Sequence, residues 1–147
     1  MYVLDTNVVS ELRRAASGKA DEHVVSWASR IEPALAYIST VTAMELEIGV
    51  RLVERRDRSS GLVLRKWLGN DVHGAFEGRI LPVDVEVARV AAALHIPDPA
   101  PVSDALIAAT ALVHSMSVVT RDASDFSRFS GLSVINPWAD ADAREGG

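Results

Sequence analysis

The sequence predicts an α/β fold, with a mostly parallel sheet covered by helices on both faces, and three observations carry that reading. Five short runs rich in β-branched or aromatic residues alternate along the chain with helical stretches, as strands joined by crossover helices do. Several of the helical stretches open on Ser, Thr or Asp, the residues that cap a helix N-terminus. With 48% hydrophobic and 24% charged residues, a chain of 147 residues closes one core and forms one domain.

The first strand is YVL at 2–4, and Asp5, Thr6 and Asn7 then offer caps for a helix over about 7–14. A second helix covers about 21–31, and YIST at 37–40 forms the next strand. Helices over about 42–57 and 62–76 follow, then the strand RILPV at 79–83 and a helix over about 84–95. The helix over about 103–115 is apolar almost all the way round, which places it centrally. SVVT at 117–120 and SVIN at 133–136 complete the strands. The domain is expected to span 1–138, with the small, polar ADADAREGG at 139–147 a frayed tail. No repeat or low-complexity tract interrupts it, and PDPAP at 97–101 is too short for a linker.

Several function classes are excluded. With no cysteine, disulfide scaffolds, thiolate zinc sites and thiol catalysis fall away, and a reducing cytoplasm is the expected compartment. The longest apolar run, at 105–113, has nine residues, short of the roughly 20 that span a membrane. MYVLDTN lacks the basic segment of a signal peptide and carries Asp5. Neither GxxxxGK[ST] nor GxGxxG occurs. A net charge of -5 argues against holding nucleic acid by bulk charge. Its distribution is uneven, because residues 51–66 hold six basic and two acidic residues. There Arg51, Arg55, Arg56, Arg58, Arg65 and Lys66 could guide a phosphate backbone, or form a solvated face interleaved with Glu54 and Asp57. Trp27, Trp67 and Trp138 read first as packing, with base stacking the alternative. His23, His73, His95 and His114 show no pairing or zinc spacing.

Four acids stand out. Asp5 ends the first strand, where an N-cap role is the ordinary explanation. At about 100° per residue, Glu47 shares a polar face with Arg51, Glu54 and Arg58, whereas Glu45 falls among Val41, Ile48, Gly49 and Leu52. A carboxylate on an apolar side needs a partner or a cation. Asp104 lies in the first turn of the central helix, where it would complement the helix dipole. Asp122 follows the fourth strand, with Asp125 a second candidate for the same place. The helix over 103–115 rises roughly 18 Å and the next strand returns roughly 13 Å, so all four acids meet at the edge formed by the strand C-termini, where such sheets bind ligands. Crowded carboxylates call for a hard cation, Mg²⁺ or Mn²⁺, and such a centre suits phosphodiester hydrolysis.

These blocks resemble a known family. LDTNVVSEL at 4–12, STVTAMELEIGV at 39–50, RILPVD at 79–84, PVSDALIAATAL at 101–112, VVTRDASDF at 118–126 and INPW at 135–138 are similar, in order, to the blocks of PIN-domain ribonucleases. The likeness is greatest to the VapC-type toxins of toxin-antitoxin pairs, in their FitB-like branch. It implies a three-layer α/β/α sandwich and a Mg²⁺- or Mn²⁺-dependent endoribonuclease. Asp5, Glu45 and Asp104 match the family's three invariant acids and Asp122 the fourth, with Asp125 a rival for that place. Thr6, Asn7 and Thr120 match supporting positions. Asp5 and Asp104 would hold the first metal, Glu45 would ligate it or orient water, and Asp122 would complete a second site. The resemblance also implies a homodimer and a larger complex with a cognate antitoxin whose N-terminal half binds DNA. Apolar positions around Leu46, Val50 and Val53 could serve such a partner, or the core. Two other readings remain: a catalytically weak subunit that binds an antitoxin for promoter repression, and a metal phosphohydrolase of the haloacid-dehalogenase kind. The latter wants an Asp two residues after the nucleophile, where this chain has Asn7.

Overall fold

A computed structural model describes residues 1–139 of the chain. Except for Ala139, the expected tail lies outside the described residues. The strands β1 (Tyr2–Leu4), β2 (Ala36–Ser39), β3 (Ile80–Leu81), β4 (Ser117–Val119) and β5 (Val134–Ile135) form one sheet in the order β3-β2-β1-β4-β5. All neighbours pair in parallel, as strand-helix alternation requires. The helices are α1 (Thr6–Leu12), α2 (Glu22–Ser29), α3 (Thr40–Arg56), α4 (Arg58–Trp67), α5 (Val85–Leu94), α6 (Val102–Val113) and α7 (Ala123–Phe126).

Side-chain alternation along the strands divides the core between the two faces. Leu4, Ile38 and Val119 join Val8, Trp27, Leu46 and Val50 from α1, α2 and α3. Val3 and Val118 turn the other way, toward Ile107, Ala108 and Ala111 of α6 and Phe126 of α7. Small α6 residues allow close layering, and on its far side Ala109 meets Val87 and Ala91 of α5. The fold is therefore the expected α/β/α sandwich.

Two local departures from expectation have physical causes. The helix anticipated over 62–76 begins four residues earlier, because Asp57 accepts from the backbone N–H groups of Ser59 (3.1 Å) and Ser60 (3.4 Å) and caps α4. It continues in wider π-helical turns over Leu68–Gly74, which bury Leu68 and Val72. On α3 the buried face is Val41, Thr42, Leu46 and Val50, whereas Ile48 and Leu52 are 49% and 60% exposed. Leu46 and Val50 therefore serve the core. Glu45 does not sit on a buried face as its neighbours suggested; it lies half-buried at the edge of one.

Candidate active site

The centre of the site follows from strand register. Leu4 pairs with Val119, so the next residues, Asp5 and Thr120, emerge side by side from the C-terminal ends of β1 and β4. The backbone N–H of Asp5 still donates to the Val119 carbonyl at 2.9 Å. The buried Thr120 hydroxyl donates to Asp5 Oδ2 at 2.7 Å, and the Thr6 N–H donates to Oδ1 at 2.8 Å. Asp5 is thus the helix cap that its position suggested, and also a buried carboxylate at a cleft. Burial raises its pKa; the hydrogen bonds from Thr120 and Thr6 oppose that rise, and the charges of Glu45 and Asp122 add to it.

The other acids reach the same place from separate elements. Glu45 projects from the second turn of α3, which begins at the sheet edge because the Ser39 hydroxyl caps it, accepting from the Val41 N–H at 3.0 Å. The Thr6 hydroxyl donates to Glu45 Oε1 at 2.7 Å and sits 3.1 Å from the Thr42 hydroxyl. Asp104 stands in the first turn of α6. Its pKa is pushed up to about 6, first by burial and then by the charges of Asp5, Asp125, Asp122 and Glu45. Asp122 occupies the cap position of α7 without capping it through its side chain. Its Oδ2 instead accepts from Asn7 Nδ2 at 3.2 Å, and its N–H donates to the Thr120 hydroxyl at 3.0 Å.

Asp5, Glu45, Asp104 and Asp122 line a single cleft of about 510 Å³. Asp125 is exposed and does not line it, although its charge reaches Asp104. Thr6 and Asn7 line the cleft with the acids. The basic residues of 51–66 are absent from the lining. Arg51 Nε instead donates to Glu47 at 2.9 Å, and Arg65 bonds both Glu47 and Glu54.

The cations at the cleft are Arg13, Arg14 and Arg121, with Trp138 beside them. Reasoning from sequence passed over these arginines because none belongs to a charge run. The available signal was adjacency: Arg121 directly precedes Asp122, and Arg13 closes the short helix that Asp5 opens.

The donor set is all oxygen, which suits a hard cation. Among the described residues no three Asp, Glu or His side chains stand close enough to make a metal-binding group by themselves. An oxygen-only donor set fits Mg²⁺ or Mn²⁺, which bind through carboxylates and keep water and substrate oxygens around them, better than it fits a tetrahedral zinc site built on Cys or His.

Parallel strands between two helical layers, with carboxylates gathered at the strand C-termini, define an α/β/α sandwich protein with an acidic cleft. The chain belongs to the PIN-domain family, whose model matches residues 2–132. It is 36% identical over 146 residues to the VapC ribonuclease Y4jK of Sinorhizobium fredii, covering 96% of this chain and 100% of that protein. It is 37% identical over 146 residues to Toxin FitB of Neisseria gonorrhoeae, covering 95% and 100%. The crystal structure of FitAcB from Neisseria gonorrhoeae is similar with a TM-score of 0.84 at 35% identity, covering 95% of this chain and 100% of that one. The structure of FitAB bound to an IR36 DNA fragment gives 0.84 at 34% identity, covering 95% and 97%.

Proposed function

We propose that this protein is a Mg²⁺- or Mn²⁺-dependent endoribonuclease and the toxin of a toxin-antitoxin pair, acting in the cytoplasm. The observation that carries the reading is the meeting of Asp5, Glu45, Asp104 and Asp122 in one cleft, where burial and mutual repulsion raise the pKa of Asp5 and Asp104. Similarity to a VapC ribonuclease and to Toxin FitB along the whole length of both supports the toxin role. Similarity to FitAB, seen bound to a DNA fragment, supports an antitoxin partner; we further propose that its N-terminal half binds DNA and that the complex is built on a homodimer.

Asp5 and Asp104 would hold the cation, Glu45 would ligate it or orient the attacking water, and Asp122 would complete the acidic set. Bound there, Mg²⁺ or Mn²⁺ supplies Lewis-acid polarisation of the phosphodiester and lowers the pKa of the attacking water. The supporting residues keep the carboxylates aimed before substrate arrives. Thr120 and Thr6 each occupy one oxygen of Asp5, Thr6 also fixes Glu45, and Asn7 holds Asp122. Cleavage leaves a 5'-phosphate and a 3'-hydroxyl.

The test uses antitoxin-free protein and single-stranded RNA. Cleavage should stop with chelator, return with Mg²⁺ or Mn²⁺, and be lost in the Asp5→Asn protein. An Asp5→Asn protein as active as wild type overturns the scheme.

A further inference from the structure

Two arginines line the acidic cleft without an ion-pair partner among the described residues, and each lies over a tryptophan. Arg13 Cζ is 5.8 Å from the Trp67 ring centroid, and Arg121 Cζ is 5.4 Å from that of Trp138. The third arginine of the cleft, Arg14, is 3.5 Å from Glu11. Both rings are half-buried and anchored against the core, so each has a fixed side and a solvent side. Trp27 differs: it is 7% exposed and meets Tyr2 edge-on, as a packing residue does.

The pairs stand at opposite ends of α1. Asn7, near its start, accepts from the Arg121 N–H at 3.2 Å, while Arg13 is its C-cap. At 1.5 Å per residue those ends are about 9 Å apart, so the two Arg–Trp pairs are anchored at separate places along the helix. The four acids share one cleft with both arginines. Asp122 adjoins Arg121 in the chain, and Glu45 lines the groove that leads past Arg13 to Trp67.

We propose that Arg13–Trp67 and Arg121–Trp138 are two positioning subsites that hold single-stranded RNA on either side of the scissile phosphate. Each guanidinium takes a flanking phosphate with its in-plane donors, and each Arg–Trp pair offers a plane on which an unpaired base stacks. Stacking accepts any base, so these subsites select unpaired strand over duplex rather than one sequence over another. This inference rests on the ribonuclease reading.

Steady-state cleavage of a fluorescein-labelled oligoribonucleotide of mixed sequence, with Mn²⁺, tests it. Arg13→Ala and Arg121→Ala should each raise KM about tenfold, within what loss of one stacked base costs, while kcat stays near wild type. Each should flatten the dependence of log(kcat/KM) on log salt by roughly 0.7, the single-strand value for one phosphate contact. Arg121→Lys should keep the salt slope and still raise KM, because it keeps the charge and loses the stacking plane. Trp138→Phe, less disruptive to packing than Ala, should raise KM less than Arg121→Ala. If wild type cleaves RNA and both Arg→Ala proteins keep its KM and salt slope, the subsites are overturned and the ribonuclease reading stands. If wild type neither binds nor cleaves RNA, both fall.

Discussion

The α3–α4 hairpin and the acidic cleft are built from the same residue types, yet their charges behave in opposite ways. On the hairpin, Arg65 bonds Glu47 at 2.7 and 2.8 Å and Glu54 at 2.7 Å, and Arg51 bonds Glu47 at 2.9 Å. These bonds hold the Glu47 carboxyl down at about 2 and raise the Arg65 guanidinium above its ordinary value. In the cleft, the pKa values of Asp5 and Asp104 go up instead, first because burial disfavours their charge and then because other acids crowd them, while the nearby Arg13 and Arg121 lie over rings. A carboxylate already forked by arginine has little left for a ligand, whereas one crowded by other carboxylates is favourably neutralised by an added cation. Gly61 makes the hairpin pairing feasible: a Cβ there would stand 2.6 Å from Glu54 Cγ and 2.7 Å from its Cα.

Substitutions break this contrast in order of expected size. Asp104→Asn should lower metal-dependent RNA cleavage by more than about 100-fold, since even an outer hydrogen-bond partner of a metal ligand is worth about 10- to 100-fold. Thr120→Val, which removes the buried donor to Asp5, should cost about 10- to 100-fold in the same assay. The double variant Arg55→Ala, Arg58→Ala should lower kcat/KM only by about threefold, and only at low salt, since exposed charges away from the cleft act by steering. An effect of that variant as large as that of Arg121→Ala would place the RNA path on the hairpin instead.

The two regions should also respond differently in stability. Gly61→Ala should destabilise the fold by about 1 to 3 kcal/mol in urea unfolding, as overpacking against backbone does, while the cleavage rate per folded molecule is kept. The pH dependence has a definite sign. Because Asp104 titrates near 6 in the folded protein and lower when unfolded, its proton is held more tightly in the fold. In chelator, the Asp104 contribution to stability is complete below about pH 4, is lost as pH rises through about 6, and is flat above that. Because Glu47, held low, contributes stability that rises with pH up to about 4.5, the Asp104 contribution is read as the difference between thermal melts of wild type and Asp104→Asn, which should fall across this range. A difference that instead rises between pH 4 and 7 contradicts the raised pKa of Asp104. The smallest effect expected is that of Arg65→Ala, a modest drop in melting temperature that disappears in high salt.

Much of this was legible in the sequence because it is written in local pattern. Strand-helix alternation specified the parallel sheet, and the near-uniform apolarity of 103–115 identified the central helix, which the structure places in contact with β1, β4, α3 and α5. The convergence of the four acids at one edge was also legible, since strand and helix rises fix where a crossover returns. Glu45 was singled out for a reason that did not hold. Its neighbours Ile48 and Leu52 are exposed, and it turns toward the cleft because the Thr6 hydroxyl lies there.

By itself, then, the sequence determined the order of the layers and the end of the sheet at which the acids meet, because both depend on periodicity and element length. Only the tertiary structure decided which charges satisfy one another. The partners of Arg65 lie 11 and 18 residues away, and Thr120 reaches Asp5 across 115. Arg13 and Arg121 likewise meet their tryptophans only once the helices are docked on the sheet. Such pairings turn on distances of a few ångströms between segments remote in the chain, and no composition or period encodes them.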